Sequence, residues 1–240
     1  MTHLEEIRTR LREAKRITVL TGAGVSAASG VPTFRGAGGL WRNHQAQQLA
    51  TPEAFARDPL LVWEWYAWRR EVIAACEPNP AHHVIAQWSR RPGFALITQN
   101  VDGLHERAGT QHVTRYHGSI WTMKCAAACG QPEWDDRRVP IAPFPPTCAA
   151  CGALARPGVV WFGEAIPIAA LDAAHAAIDC DLFLSIGTSS VVYPAAALIA
   201  QARARGAFTV EINPESTGAG VDVAVAAPAE MVLPRVAARS

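Results

Sequence analysis

Four cysteines near the middle of the chain restrict its fold more than any other feature. They form two short motifs, Cys125-x3-Cys129 and Cys148-x2-Cys151, which are separated by eighteen residues. Thiolates on two tight turns supply the four ligands of a tetrahedral zinc ion and leave no coordination position open for water. We therefore predict a module that holds one structural zinc ion (Zn2+), and a redox dithiol is the alternative interpretation.

The composition bounds the classes of function. A chain of 240 residues can bury one substantial core, and its formal net charge of +1 gives no indication of nucleic-acid binding. Residues 1–16 mix acids and bases and lack the apolar core of a signal peptide, so we expect a cytoplasmic protein with reduced thiols. The longest apolar region, 182–200, contains Gly187 and Pro194, which indicates strand, loop and helix rather than a membrane span. We expect no membrane partner.

A strand followed by a glycine-rich turn is predicted near the start of the chain. Residues 17–20 are a run rich in β-branched residues, and Gly22-Ala23-Gly24 then opens a new helix. In this arrangement backbone N–H groups and the helix dipole face an anion such as a phosphate. The turn matches neither the dinucleotide fingerprint nor the P-loop, so a tight turn without a ligand is the alternative. The glycine-rich segment beyond it carries Phe34 and Arg35, and we expect this segment to close over a ligand as a lid.

Polar residues follow four further extended runs, at 94–97, 113–116, 181–186 and 208–212, and one more apolar extended run covers 156–164. The carboxyl ends of parallel strands meet at the edge where an open α/β sheet binds its ligand, so we expect these polar residues to share one site. They are Gln99, Asn100 and Asp102, then His117, then Thr188 and Ser189 in a turn that begins with Gly187, and finally Asn213. Each loop by itself also fits simple capping of the backbone by its own side chains, which is the alternative.

A long helix is predicted from Pro59 to Ala75. The stripe that we expect to be buried contains Leu61, Trp65, Trp68 and Val72. Tyr66 and Arg69 lie three residues apart on a neighbouring face, and no carboxylate stands three or four positions from Arg69. Arg69 is therefore either a solvated side chain or a site for an external anion.

Taken in order, these motifs resemble those of the sirtuins, which are NAD-dependent protein lysine deacylases. The matching segments are 22–26, 32–35, 98–102, 117–118, the four cysteines, 160–164, 187–189 and Asn213. Several segments are weak signals alone, but their ordered combination is specific.

The resemblance implies an α/β fold with two domains. A large domain with a Rossmann-like parallel sheet would bind NAD and would comprise residues 1–34, 81–120 and 157–240. A small inserted domain would combine a helical module with the cofactor loop, at residues 35–80, and a zinc-ribbon module at residues 121–156. NAD and the acyl-lysine would meet between the two domains.

The resemblance also assigns roles within the site. The residues implied for NAD are Gly22, Ala23, Gly24, Phe34, Arg35, Gln99, Asn100, Asp102, Gly187, Thr188, Ser189 and Asn213. His117 would be the general base and would act with Asn100 and Asp102, while the four cysteines would hold the zinc ion. The residues implied for binding the substrate peptide as an added strand are Val159, Val160, Trp161 and Phe162. The partners would be acylated lysine side chains of proteins, and the products would be nicotinamide, free lysine and 2′-O-acyl-ADP-ribose.

Three residues indicate a subclass. Tyr66 and Arg69 resemble the tyrosine-x-x-arginine pair of the sirtuins that remove succinyl and malonyl groups, and Ala50 resembles the small residue that widens their acyl pocket. We therefore expect a deacylase that prefers succinyl- and malonyl-lysine and also removes acetyl groups.

Two other classes of function are alternatives. One is an NAD-dependent mono-ADP-ribosyltransferase, which shares the first step and differs in the acceptor. The other is a non-catalytic zinc module that binds NAD or a peptide, and the set of Asn100, Asp102 and His117 argues against it.

Overall fold

The computed structural model describes residues 2–33, 40–42 and 44–238. In chain order its elements are α1 His3–Glu13, β1 Ile17–Thr21, α2 Gly24–Ala27, β2 Leu40–Trp41, β3 His44–Gln45, α3 Ala46–Leu49, α4 Pro52–Arg57, α5 Pro59–Ala74, α6 Pro80–Trp88, β4 Phe94–Thr98, α7 Leu104–Arg107, β5 Val113–Arg115, β6 Gly118–Cys125, β7 Trp134–Asp135, β8 Ala155–Val159, α8 Ile168–Ala177, β9 Leu182–Ile186, α9 Leu198–Ala204, β10 Phe208–Ile212, β11 Val223–Val225 and α10 Ala229–Ala237. A short 3-10 turn, Ala195–Ala197, precedes α9.

A six-stranded parallel sheet organises these elements, in the order β11-β10-β9-β1-β4-β5. From β1 the chain passes outwards to β4 and β5, then returns to place β9 on the other side of β1. This is the strand order of the doubly wound dinucleotide-binding fold, in which the topological switch point lies between the two strands at the centre. Here the switch point lies between β1 and β9, so the fold directs a ligand to the loops that follow these two strands.

The sheet is buried on both faces because consecutive residues of its strands are apolar and point to opposite faces. Val19 and Leu96 pack into the cluster that contains the buried sides of α1, α6 and α10. Leu20, Ile97 and Phe183 point the other way and pack with buried residues of α8 and α9. The three-layer arrangement follows from this two-residue period.

A separate antiparallel sheet, in the order β7-β6-β8, is referred to below as the small sheet. An apolar cluster joins the small sheet to α5, with Trp63 of the helix and Met123 and Ala155 of the sheet among its fully buried members. The small sheet runs beyond the predicted zinc module 121–156 at both ends, since β6 begins at Gly118 and β8 ends at Val159. The division into domains itself stays a prediction.

The predicted buried face of the long helix was wrong in part. The expected Trp65 is buried, together with Val62, Tyr66, Arg69 and Ile73. The other expected members, Leu61, Trp68 and Val72, are only partly buried. Apolar residues occur all around this helix, so periodicity alone could not select the face that meets the small sheet.

Two further sequence predictions need correction. The extended run 156–164 ends as a strand at Val159, and residues 160–164 form a loop and turn. The helix expected from Ala195 begins as a 3-10 turn and becomes α-helical only at Leu198. Within the described part of the chain, no helix has the length and apolar character needed to cross a membrane.

Candidate active site

Five neighbouring strands of the parallel sheet deliver the predicted site residues to one edge. The glycine turn follows β1, Gln99 follows β4, and His117 follows β5 after one intervening residue. Gly187 follows β9 and Asn213 follows β10. The carboxyl ends of parallel strands therefore gather these residues, as the sequence pattern predicted. Phe34 and Arg35 lie outside the described residues.

The two glycine turns touch each other at the switch point. The Gly24 N–H donates to the Gly187 carbonyl at 2.8 Å, and the Gly22 N–H donates to the Ile186 carbonyl at 3.2 Å. A Cβ on Gly24 would lie 2.7 Å from the Gly187 oxygen, and Gly187 itself has a positive φ of 60°. Glycine is thus required here for backbone packing, which is a reason that the sequence motif alone did not reveal.

Asn100 and Asp102 are joined through Ser26, a residue that the sequence analysis did not assign to the site. The Asn100 amide donates to the Ser26 hydroxyl at 3.2 Å and to the Gly22 carbonyl at 3.0 Å. The Ser26 hydroxyl in turn donates to the Asp102 carboxylate at 2.8 Å, and the Leu104 N–H donates to its other oxygen at 2.9 Å. Burial raises the pKa of Asp102, although these hydrogen bonds act in the opposite direction.

A second set of buried hydrogen bonds supports the loop that contains Asn100. The Thr21 hydroxyl donates to the Thr98 hydroxyl at 2.8 Å, and the Asn100 N–H donates to the same Thr98 oxygen at 3.1 Å. His105 Nε2 lies 3.0 Å from the Thr21 oxygen. The Thr21 hydroxyl already donates its hydrogen to Thr98, so it can only accept from His105. His105 is therefore assigned the tautomer with the hydrogen on Nε2.

His105 and His82 both stay neutral near neutral pH. Burial lowers the pKa of each to about 3. Their rings lie 4.8 Å apart, and His82 Nε2 lies 3.3 Å from the Ser26 hydroxyl. Neither histidine was singled out from the sequence, because nothing in the local pattern distinguishes a buried histidine on a helix from an exposed one.

His117 is partly buried and is held by the neighbouring loop. Its Nδ1 lies 3.2 Å from the Gln99 carbonyl oxygen. A carbonyl only accepts, so Nδ1 carries the hydrogen and Nε2 carries the lone pair. Burial lowers the pKa of His117, and the hydrogen bond to Gln99 opposes that shift. The neutral imidazole is the form expected of a general base.

The remaining residues predicted for NAD lie around the same edge. The Gln99 side chain reaches across β1 and donates to the Thr188 hydroxyl at 2.9 Å. Ser189 is exposed, Ala23 is partly buried, and the partly buried Asn213 donates from its side chain to the Glu215 carbonyl at 2.5 Å. Amide and hydroxyl groups beside a glycine-lined switch point are the donor set that a dinucleotide needs, so the residues present fit NAD.

The predicted acyl-binding residues also come together, although they lie far apart in sequence. The Trp161 indole N–H donates to the Tyr66 hydroxyl at 2.9 Å, and the Phe162 N–H donates to the Ala50 carbonyl at 2.9 Å. Tyr66 and Arg69 are each only 3% exposed, and Ala50 is buried as well. Burial lowers the pKa of Arg69, with Tyr66 and Asp102 acting in the opposite direction.

The segment predicted to pair with a peptide is already bonded within the chain. Val159 pairs with Gly118 in the small sheet, and the Val160 N–H donates to the His117 carbonyl at 2.9 Å. The Trp161 N–H donates to the Glu164 carboxylate at 2.8 Å. With the Phe162 N–H on Ala50, three consecutive N–H groups are engaged, so an added strand would have to pair through carbonyl groups or at neighbouring residues. The pairing stays a prediction.

The four cysteines converge as a metal site requires. Their sulfur atoms all lie within 4.8 Å of one another, with Cys125 to Cys151 at 3.5 Å and Cys129 to Cys148 at 3.7 Å. Zinc–sulfur bonds of about 2.3 Å at tetrahedral angles place sulfur atoms about 3.8 Å apart, so the residues fit one zinc ion. Ala128, with a φ of 49°, gives the longer first motif its turn.

The chain is similar to known proteins over most of its length. The model of the Sir2 family matches residues 22–194. An NAD-dependent protein deacylase of Aquifex aeolicus (strain VF5) is 50% identical over 207 residues, which are 85% of this chain and 86% of that protein. The mitochondrial NAD-dependent protein deacylase sirtuin-5 of Canis lupus familiaris is 46% identical over 91% of this chain and 79% of its own length.

Solved structures are similar over almost the whole chain. A triply substituted Sir2 homologue in complex with 2′-O-acetyl-ADP-ribose has a TM-score of 0.92 and 44% identity, covering 97% of this chain and 94% of that one. A Sir2 homologue in complex with NAD has a TM-score of 0.91 and 43% identity, covering 97% and 91%.

Proposed function

Because the chain belongs to the Sir2 family, we propose that it is an NAD-dependent protein-lysine deacylase that prefers succinyl- and malonyl-lysine and also removes acetyl groups. The reaction class follows from the family and from the relatives of similar length. The acyl preference is supported by one observation, the burial of Arg69 close to a buried Tyr66 whose hydroxyl is bonded to Trp161.

Arg69 is proposed to recognise the carboxylate at the end of the acyl chain. A buried guanidinium stays charged near neutral pH and favours a ligand that brings a negative charge. Each charge-assisted hydrogen bond that it forms contributes about 1.5–3 kcal/mol. An acetyl group ends in a methyl group and gains none of this stabilisation, which gives a physical basis for selectivity.

Tyr66 is proposed to add a second hydrogen bond to the same carboxylate. Its hydroxyl accepts from the Trp161 indole, so its own hydrogen is directed elsewhere. Burial raises the pKa of Tyr66 well above its ordinary value of 10.0, so the phenol stays protonated and remains a donor. Ala50 is proposed to widen the acyl pocket, because its side chain is a single methyl group and leaves room for a four-carbon acyl group.

His117 is proposed as the general base. When bound, NAD supplies an electrophilic ribose carbon and a nicotinamide leaving group. His117 holds Nδ1–H on the Gln99 carbonyl and presents the Nε2 lone pair, which takes a proton from a sugar hydroxyl. Asn100 and Asp102 lie in the loop after β4 and are joined through Ser26, and they are proposed to orient the sugar. The four cysteines would hold zinc as a structural link, with no coordination position open for chemistry.

One experiment tests the proposal. The purified protein is incubated with NAD and with matched acetyl-, succinyl- and malonyl-lysine peptides, and the products are identified by mass spectrometry. Free lysine with acyl-ADP-ribose, formed fastest from the succinyl and malonyl peptides, is the expected result. ADP-ribosylated protein would indicate a transferase, unchanged peptides would indicate a binding module, and faster loss of acetyl would contradict the preference.

A further inference from the structure

The helix α5, which carries Tyr66 and Arg69, is attached to the small sheet by polar bonds at two separate points. The Trp63 indole N–H donates to the Ala155 carbonyl of β8 at 2.8 Å. Arg70 Nε donates to the Ile120 carbonyl of β6, also at 2.8 Å. Trp63 and Arg70 are both fully buried, so water does not compete with these bonds.

Arg70 also forms a buried ion pair with a residue that follows β7. Its terminal nitrogen lies 2.8 Å from Asp136, and the two side chains are 1% and 5% exposed. Asp136 is itself fixed, since its N–H donates to the Trp121 carbonyl at 2.8 Å and its carboxylate accepts from Arg138. Arg70 therefore meets a rigid partner.

The spacing of these residues places Tyr66 between the two attachments. Positions 63, 66 and 70 share one face of a helix. A rise of about 1.5 Å per residue puts Trp63 and Arg70 about 10 Å apart along the axis. Two attachments at that separation fix both the rotation of the helix and its position along its axis, and Arg69 is set by the same constraint.

Strand β6 also connects α5 to the loop that contains Asn100 and Asp102. The Arg70 guanidinium lies 5.7 Å from the ring centroid of Trp121 in β6. The Trp121 indole N–H donates to the Asp102 carbonyl at 2.6 Å. The small sheet thus holds α5 in a defined position relative to the loop that contains Asn100 and Asp102.

A buried ion pair is by itself a weak source of stability. Apolar residues of similar volume are often as stabilising as a buried pair, or more so, whereas a pair specifies one geometry. Recognition of a carboxylate by a buried arginine depends on such geometry, since a displacement of about 1 Å is enough to lower activity by about 100-fold. We infer that Trp63 and Arg70 are positioning residues for acyl selectivity, which hold α5 so that Tyr66 and Arg69 meet an acidic acyl group; the inference rests on the proposed function.

The test compares kcat and KM for matched succinyl and acetyl peptides. Trp63→Phe removes the N–H and keeps an aromatic ring, Arg70→Lys keeps the charge but not the planar set of donors, and Arg70→Met removes both. We expect KM for the succinyl peptide to rise about three-fold to tenfold in the first two variants and more in the third. KM for the acetyl peptide should stay within about two-fold, because an acetyl group does not contact the pair.

The controls separate positioning from stability. Arg90→Met, at an exposed position, should leave both activities unchanged, and circular dichroism and zinc content show whether each variant is folded. If Arg70→Met does not fold, Trp63→Phe and Arg70→Lys decide the question. Equal losses on both peptides would overturn the inference while leaving the proposed function intact. A wild-type protein without succinyl preference would overturn the proposed function, and the inference with it.

Discussion

The indole N–H of Trp161 donates a 2.9 Å hydrogen bond to the hydroxyl of Tyr66, and both side chains are buried. This bond joins the loop after β8 to the middle of α5, which brings the predicted peptide segment against the predicted acyl-selecting pair. The same loop is also bonded to His117, whose carbonyl accepts from the Val160 N–H at 2.9 Å. Hydrogen bonds of this loop therefore connect the acyl-binding residues to the candidate base.

Removing either member of the acyl-selecting pair should change selectivity in a graded way. Arg69→Met removes the charge, and we expect kcat/KM for a succinyl peptide to fall by about 100-fold or more, since two charge-assisted bonds are lost. Tyr66→Phe removes one donor and should lower it by about tenfold. Deacetylation should be unchanged or faster in both. Steady-state kinetics with both peptides measures this, and a parallel fall in both activities on folded protein would refute the selectivity.

The pH dependence of catalysis should reflect the environment of His117. Because burial lowers the pKa of this imidazole below its ordinary value of 6.5, the basic form persists into mildly acidic solution. We expect the acidic limb of kcat/KM to have its midpoint below pH 6.5, and His117→Tyr to abolish turnover while leaving fold and zinc content intact. A midpoint above pH 6.5, or turnover in the variant, would remove the assigned role.

Sequence patterns were sufficient to predict which polar residues lie at the carboxyl ends of the parallel strands. Gln99, Asn100, His117 and Asn213 each follow a predicted extended run, and the carboxyl ends of parallel strands meet at one edge of the sheet. Ser26 was not predicted, because its role depends on the packing of the first turn against the loop after β4. Packing between segments distant in sequence is not encoded in either local pattern.

The face of α5 shows the same limit. Leu61 and Trp68 are apolar and were expected to be buried, yet the buried face includes two arginines, Arg69 and Arg70. Hydrophobic periodicity favours apolar residues at buried positions, so it selects against buried arginines. The partner of Arg70, Asp136, lies 66 positions away and could be identified only from the three-dimensional structure.

Acid should destabilise the protein partly through His105. The unfolded chain binds a proton at this histidine near pH 6.5, whereas burial lowers the pKa in the folded state to about 3. The contribution of neutral His105 to the free energy of unfolding is therefore fully present above pH 6.5. It is lost as the pH falls from 6.5 towards 3, by about 1.4 kcal/mol per pH unit. His105→Gln keeps a donor for Thr21 and does not titrate. Urea unfolding between pH 7 and pH 5 should show a flatter decline for the variant, and parallel curves would contradict the assignment.

Gly24→Ala should destabilise the protein even when no NAD is bound. The added Cβ would approach within 2.7 Å of the Gly187 carbonyl, so the two turns at the switch point must separate. Such overpacking destabilises by about 1–3 kcal/mol, which corresponds to a fall of about 3–10 °C in Tm for a chain of this size. Thermal unfolding without NAD measures it, with Ala27→Ser on the exposed side of α2 as the control. An unchanged Tm would show that the turns are not in obligatory contact.

Removal of zinc should act on the acyl-binding helix as well as on the small sheet. Cys125 is the last residue of β6, and β8 accepts the Trp63 bond at Ala155, so loss of the metal loosens the strands to which α5 is attached. Treatment with a chelator, or Cys129→Ser, should change tryptophan fluorescence and near-ultraviolet circular dichroism, and should raise KM for a succinyl peptide before the far-ultraviolet signal of the parallel sheet is lost. Cys180→Ser, which alters a buried cysteine outside the cluster, should keep about one zinc ion per chain and normal spectra. Native spectra in a zinc-free Cys129→Ser protein would show that the cluster does not support the fold.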